Sequence, residues 1–153
     1  MAMELVSRWL RRAVEHGDDL QARTAMLEAS MLAGGAMLSA GLGLMHGIGN
    51  VAGGLTHDAH GLLLARLLDA VMAFNEPAIP AEKLARIQAF VDTLRALALE
   101  KFEELNVPQV KMREQDLPAL AERALDNINS KSNPRSHTRE DIVAIARQSF
   151  QII

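Results

Sequence analysis

An all-α fold is what this chain predicts, on three observations. Phe, Trp and Tyr make up only 3% of its 153 residues, so a core must be built from Leu, Ala, Ile and Met, whereas strands favour aromatic and β-branched side chains. Apolar residues recur at helical spacing over long runs, and no stretch alternates with period two for long enough to form a strand. With 49% apolar and 23% charged residues, the chain has the balance of an ordinary globule. Its length is that of one domain able to bury a real core. The expectation is a single helical domain over residues 1–153, with about six or seven helices.

Each element has a local reason. Leu5, Trp9 and Ala13 form a stripe that stops at Gly17, a residue typical just past a helix end. Asp18 or Asp19 can cap the next helix, whose apolar line runs through Leu20, Leu27, Met31, Gly34 or Gly35, and Leu38. Gly41 and Gly43 should break it. A piece from about Leu44 to Val51 follows and should end at Gly53-Gly54, and another helix runs from about Asp58 to Asn75. Pro77 and Pro80 close that block and open the next, since proline suits a first helical turn and not an interior. Leu84, Ile87, Val91, Leu94, Ala98, Phe102 and Leu105 then share one face and are expected to be core. Asp116 can cap a helix with Pro118 in its first turn and Leu120, Ala124 and Ile128 inward. After the turn-like Ser132-Asn133-Pro134-Arg135, Thr138-x-x-Asp141 is a box-like start before Ile142, Ile145 and Phe150.

Composition excludes several function classes. The formal net charge is −3, with Lys and Arg scattered among Asp and Glu, so no basic face is offered to nucleic acid. Cysteine is absent, which removes disulfides, thiolate chemistry and Cys-ligated zinc. The N-terminus meets charge at Glu4 and lacks the apolar run of a signal peptide. A cytoplasmic location is expected.

The most informative segment is the span from Ala29 to His57, which holds no formal charge and eight glycines and leads into His60-Gly61. Three readings compete. As a membrane hairpin it is long enough on count alone, but its glycines cut it into short pieces and no aromatic belt flanks them. As a close-packed helical core it would use Gly and Ala as spacers, with histidines that are simply hydrogen-bonded. As a metal site it would bring His46 and His60, fourteen positions apart, to one ion. Neutral imidazole suits zinc, iron or nickel. Two ligands are too few for a closed or catalytic site, which takes three or four protein groups. His57-x-x-His60 is a second, weaker pairing on one helical face. His16, His57 and His137 read as solvent-facing or capping residues, and Gly34, Gly35, Gly41 and Gly43 as packing residues.

Taken in order, the segments Asp19-Leu20-Gln21-Ala22-Arg23, Met26-Leu27-Glu28-Ala29-Ser30, Ala33-Gly34, Ala40-Gly41-Leu42-Gly43-Leu44-Met45-His46-Gly47, Gly53-Gly54, His60-Gly61 and Val71-Met72-Ala73-Phe74-Asn75 resemble the iron-containing alcohol dehydrogenases. Asn133-Pro134-Arg135, followed by Thr138-x-x-Asp141-Ile142, is similar to that family's C-terminal tail. The resemblance covers nearly the whole chain.

It implies the helical, metal-binding C-terminal part of an oxidoreductase whose preceding α/β domain binds NAD or NADP. A divalent metal, iron or else zinc or nickel, polarises the alcohol oxygen while hydride passes to the nicotinamide. The family's four ligands are an Asp and a His one helical turn apart, then two later histidines, and the later pair falls on His46 and His60. The chain contains no Asp-x-x-x-His and no glycine-rich nucleotide loop. By itself it should therefore not oxidise alcohols.

Within the matched part, Asn50 stands where many members carry a further His near the nicotinamide, and an amide cannot relay a proton as imidazole can. The resemblance assigns Asn50 to the cofactor side. Arg66 and Asp69 replace the family's usual Asn and Pro. An alcohol or aldehyde substrate, a homo-oligomer, and no membrane partner complete the expectation. The competing class is a non-catalytic helical interaction domain that self-associates through an apolar patch.

Overall fold

A computed structural model describes all residues from 1 to 153. It contains seven α-helices: α1 (Ala2–Glu15), α2 (Leu20–Ala40), α3 (Leu44–Thr56), α4 (His60–Asn75), α5 (Ala81–Glu104), α6 (Leu117–Leu125) and α7 (Arg139–Ser149). Strand structure is confined to β1 (Lys111–Met112) and β2 (Gln151–Ile152), paired in parallel. The expected all-α class holds. The short ladder fastens the C-terminus, with Gln151 N–H donating to Val110 O and Ile153 N–H to Met112 O.

The chain forms two compact units. The first comprises residues 1–41 and 85–105, which is α1, α2 and all but the first turn of α5. Asp19 caps α2 by accepting from Ala22 N–H at 3.0 Å, as expected of a carboxylate at that position. Ala22, Ala25 and Ala29 are its buried residues. The line expected to face inward is turned the other way: Leu20, Leu27, Met31 and Leu38 are 80%, 73%, 71% and 86% exposed. Gly34 and Gly35 pack against nothing, since a Cβ built on either meets no atom within 4 Å. Periodicity had located a stripe but not the face that gets covered. On α5 only Val91 and Leu97 are buried, and Leu105 lies beyond the helix, 72% exposed.

The second unit comprises residues 42–84 and 106–153 and contains the whole hydrophobic core cluster. Leu44, Ile48, Leu63, Leu67, Leu120 and Ile142 are fully buried there. α3 runs past Gly53-Gly54, where a stop was expected, to Thr56, and ends on His57 in the left-handed conformation at φ 62°. Gly53 serves as a contact instead, its position 3.4 Å from Leu63 Cδ1 once a Cβ is built. On α6, Leu120 and Ala124 are buried as expected, but Ile128 falls after the helix and is 74% exposed. Asp116 does not cap α6 with its side chain; its carboxylate takes Arg113 at 2.7 and 3.0 Å. α7 begins with the expected capping box between Thr138 and Asp141, and buries Ile142 and Ile145. No single helix is long and apolar enough to cross a membrane.

Candidate metal centre

The site begins with two glycines that make room. On α3, a Cβ at Gly49 would stand 2.7 Å from Leu64 Cδ2, and one at Gly53 3.4 Å from Leu63 Cδ1. The face carrying them is therefore where α4 approaches. His46 lies three residues before Gly49, on the same side of the helix. His60 is the first residue of α4. The two imidazole rings meet with centroids 5.4 Å apart, tilted by 53°. Two helical segments thus deliver one ring each to a common place.

Of the pair, His46 has an unusual electrostatic state. His46 Nδ1 is shut off from solvent and has no hydrogen-bond partner, whereas a buried polar atom is ordinarily paired. Burial, and secondarily the neighbouring His60, push the His46 pKa below its ordinary value. Near neutral pH the ring is therefore uncharged with a lone pair available, the form that binds a metal. An unsatisfied ring nitrogen beside a second imidazole fits a borderline divalent ion in donor chemistry. The number of donors does not reach a full set, because no group of three or more His, Asp or Glu side chains converges anywhere in the chain.

Asn50 is exposed, one turn along α3 from His46. His57 is exposed at the α3 C-cap and His16 at that of α1. His137 is half-buried, with Nδ1 3.4 Å from Arg135 O. None of these three joins the pair. Arg66 sends Nη2 toward Pro108 O at 3.4 Å. A groove of about 500 Å³ between α6 and α7, floored by Ala121 and Val143, contains no residue of the His46–His60 site.

Reading of the sequence missed what holds α3 in place. Gly43, at φ 77°, precedes α3 without a side chain to cap it. The loop at 130–135 supplies the cap from 89 residues away: Gly43 N–H donates to Ser132 Oγ at 3.2 Å and Leu44 N–H to Asn133 Oδ1 at 3.1 Å. Ser130 Oγ donates to Ala124 O and lies where a Cβ on Gly47 would stand, 1.9 Å from it. The available signal was a helix start with no capping residue of its own, which requires a partner from elsewhere.

A family model described as "Fe-containing alcohol dehydrogenase family, C-terminal" matches residues 1–150. The 1,3-propanediol dehydrogenase of Klebsiella pneumoniae is 38% identical across 97% of this chain and 43% of its own length. The NAD-dependent methanol dehydrogenase of Bacillus methanolicus is 31% identical across the same shares. A crystal structure of 1,3-propanediol oxidoreductase superimposes with a TM-score of 0.81 at 34% identity, again over 97% of this chain and 43% of that one. An iron-containing alcohol dehydrogenase from Thermotoga maritima follows at 0.79 and 27% identity, covering 97% and 40%. The chain thus spans less than half the length of the relatives it matches, and it belongs to the iron-containing alcohol dehydrogenase family, whose C-terminal part it corresponds to.

Proposed function

We propose that this chain is the helical, metal-holding part of a metal-dependent, NAD(P)-linked oxidoreductase that transfers hydride between an alcohol or aldehyde and a nicotinamide. The observation that carries the reading is the His46–His60 ring pair at 5.4 Å, with its solvent-shielded, unpartnered Nδ1. Family membership supports it, as do relatives named for propanediol and methanol dehydrogenation.

In this reading His46 and His60 each donate one ring nitrogen to a divalent ion, iron or else zinc or nickel. When bound, such an ion supplies Lewis-acid polarisation of the substrate oxygen. His46 is suited to ligation because burial keeps its ring neutral. Asn50, exposed one turn further on, presents an amide that can donate to and accept from substrate or nicotinamide but cannot shuttle a proton. Two imidazoles alone hold an ion weakly, since three or four protein ligands are the rule. By itself the chain therefore turns over no alcohol.

Calorimetric titration of Zn(II) or Fe(II) into the wild type, His46→Ala and His60→Ala tests the site. Weak binding by the wild type that disappears in both variants is expected. Equal binding by wild type and His46→Ala would remove His46 from it.

A further inference from the structure

We propose that Asn133 is a positioning residue for the His46–His60 pair, tying the first turn of α3 to the last turn of α4. All four hydrogen-bonding positions of its amide are used. Oδ1 accepts from Leu44 N–H at 3.1 Å and from Asn75 Nδ2 at 3.1 Å. Nδ2 donates to Asn75 Oδ1 at 2.7 Å and to Arg135 O at 2.8 Å. Asn75 is buried, the last residue of α4. Arg135 reinforces the same end, with Nη1 donating to Phe74 O at 2.6 Å and the guanidinium 4.2 Å over the Phe74 ring. One amide therefore joins the start of the helix that carries His46 to the end of the helix that carries His60.

The joint acts where it matters for the rings. His46 is the third residue of α3. Backbone on its N-terminal side is held at Gly43 and Leu44 by Ser132 and Asn133, and the next residue, Gly47, lies flush against Ser130. The loop grips α3 on both sides of the imidazole. A part-buried amide pair is a geometric constraint as well as an energetic one, because an unmade bond at buried Asn75 would strand a polar group out of water. Removing Asn133 frees the first turn of α3 to rotate, and the His46 ring moves with it.

This inference rests on the metal reading for its purpose but can be judged without metal. The first measurement is the ring-to-ring nuclear Overhauser effect between His46 and His60 in metal-free protein, assigned with His46→Ala and His60→Ala. Asn133→Ala and Asn75→Ala should lose it. Asn133→Asp keeps an oxygen for Leu44 N–H, gives up both donated bonds, and should fold with a partial loss. Ile145→Val, a core change on α7, should keep the full signal. The second measurement is Zn(II) affinity, expected to fall about tenfold in Asn133→Ala, the scale typical of residues that orient metal ligands, and not in Ile145→Val. A full-strength ring-to-ring signal in both Asn133 variants, or an equal loss in Ile145→Val, overturns the proposal. If wild type binds Zn(II) no better than His46→Ala, the metal reading falls, and the ring-to-ring signal still decides whether Asn133 positions the pair.

Discussion

Glycine and leucine play opposite parts in the two units. In the second, Gly47 touches Ser130 so closely that no Cβ could fit, and Gly49 admits Leu64. In the first, Gly34 and Gly35 face open space. Leu63 and Leu67 of α4 are fully buried, whereas Leu20, Leu27 and Leu38 of α2 are at least 73% exposed. The first unit buries only Ala22, Ala25, Ala29, Val91 and Leu97. Its surface carries ion pairs: Arg11 with Glu100 at 2.8 Å, Arg12 with Asp19, and Arg86 with Glu4 at 3.3 Å. Exposed pairs of this kind contribute little. The second unit is thus specified by packing, the first by helix propensity and capping.

The sharpest way to break this contrast is to add one methyl group to each unit. Gly47→Ala drives a Cβ to within 1.9 Å of Ser130 Oγ and should destabilise by about 3 kcal/mol, at the upper end of ordinary overpacking. Denaturant unfolding measures it. Ser130→Gly should recover much of the loss in the double variant, because the two sites share the contact. Leucine deletion makes the same comparison by subtraction. Leu67→Ala should cost about 3 kcal/mol as a cavity in a closed core, while Leu27→Ala should stay within about 0.5 kcal/mol. A large loss at Leu27 would mean that the outer face of α2 is covered in solution.

Smaller effects of the opposite sign sharpen the contrast. Gly34→Ala places its methyl group in open space and should stabilise α2 by roughly 0.5–1 kcal/mol, from helix propensity alone. His57, left-handed at φ 62°, should gain about 1 kcal/mol on replacement by Gly, which adopts that conformation without a Cβ clash. Melting temperatures of the two variants against wild type check both.

The unevenness also explains what could be read from the sequence. Caps and breaks were legible in part because they are local: Asp19, the Gly41 and Gly43 break, and the Thr138–Asp141 box appear where the residues place them, whereas Asp116 pairs with Arg113 instead of capping and Gly53-Gly54 lies inside α3. The His46–His60 pairing was legible through the family resemblance, since the uncharged, glycine-rich span by itself left a membrane hairpin, a close-packed core and a metal site open. The inward face of α2 was not, since periodicity marks a stripe and only tertiary packing decides whether something lies on it. Ile128 failed for a related reason: the helical phase was extended beyond Leu125, where α6 ends. Asn133 was out of reach because its role depends on Leu44, 89 residues away.

The smallest expected effect is a pH slope confined to the second unit. His46 is depressed below its ordinary value of 6.5, by burial first and His60 second. The unfolded chain therefore takes up this proton at a higher pH than the folded one. Stability from keeping the ring neutral is fully present above about pH 6.5 and is lost as pH falls through the lower folded value. The depressed carboxylates act in the same direction but further down. Asp19, held low by Ala22 N–H and Arg12, and Glu100, held at about 2 chiefly by Arg11, start from 3.8 and 4.5. Below about pH 6.5 and above the carboxylate range, the lowered His46 therefore adds to the slope. His46→Asn should flatten the melting-temperature profile in that window and leave the acid limb unchanged. An unaltered slope would mean that solvent reaches the ring, and with it would go the case for a shielded lone pair.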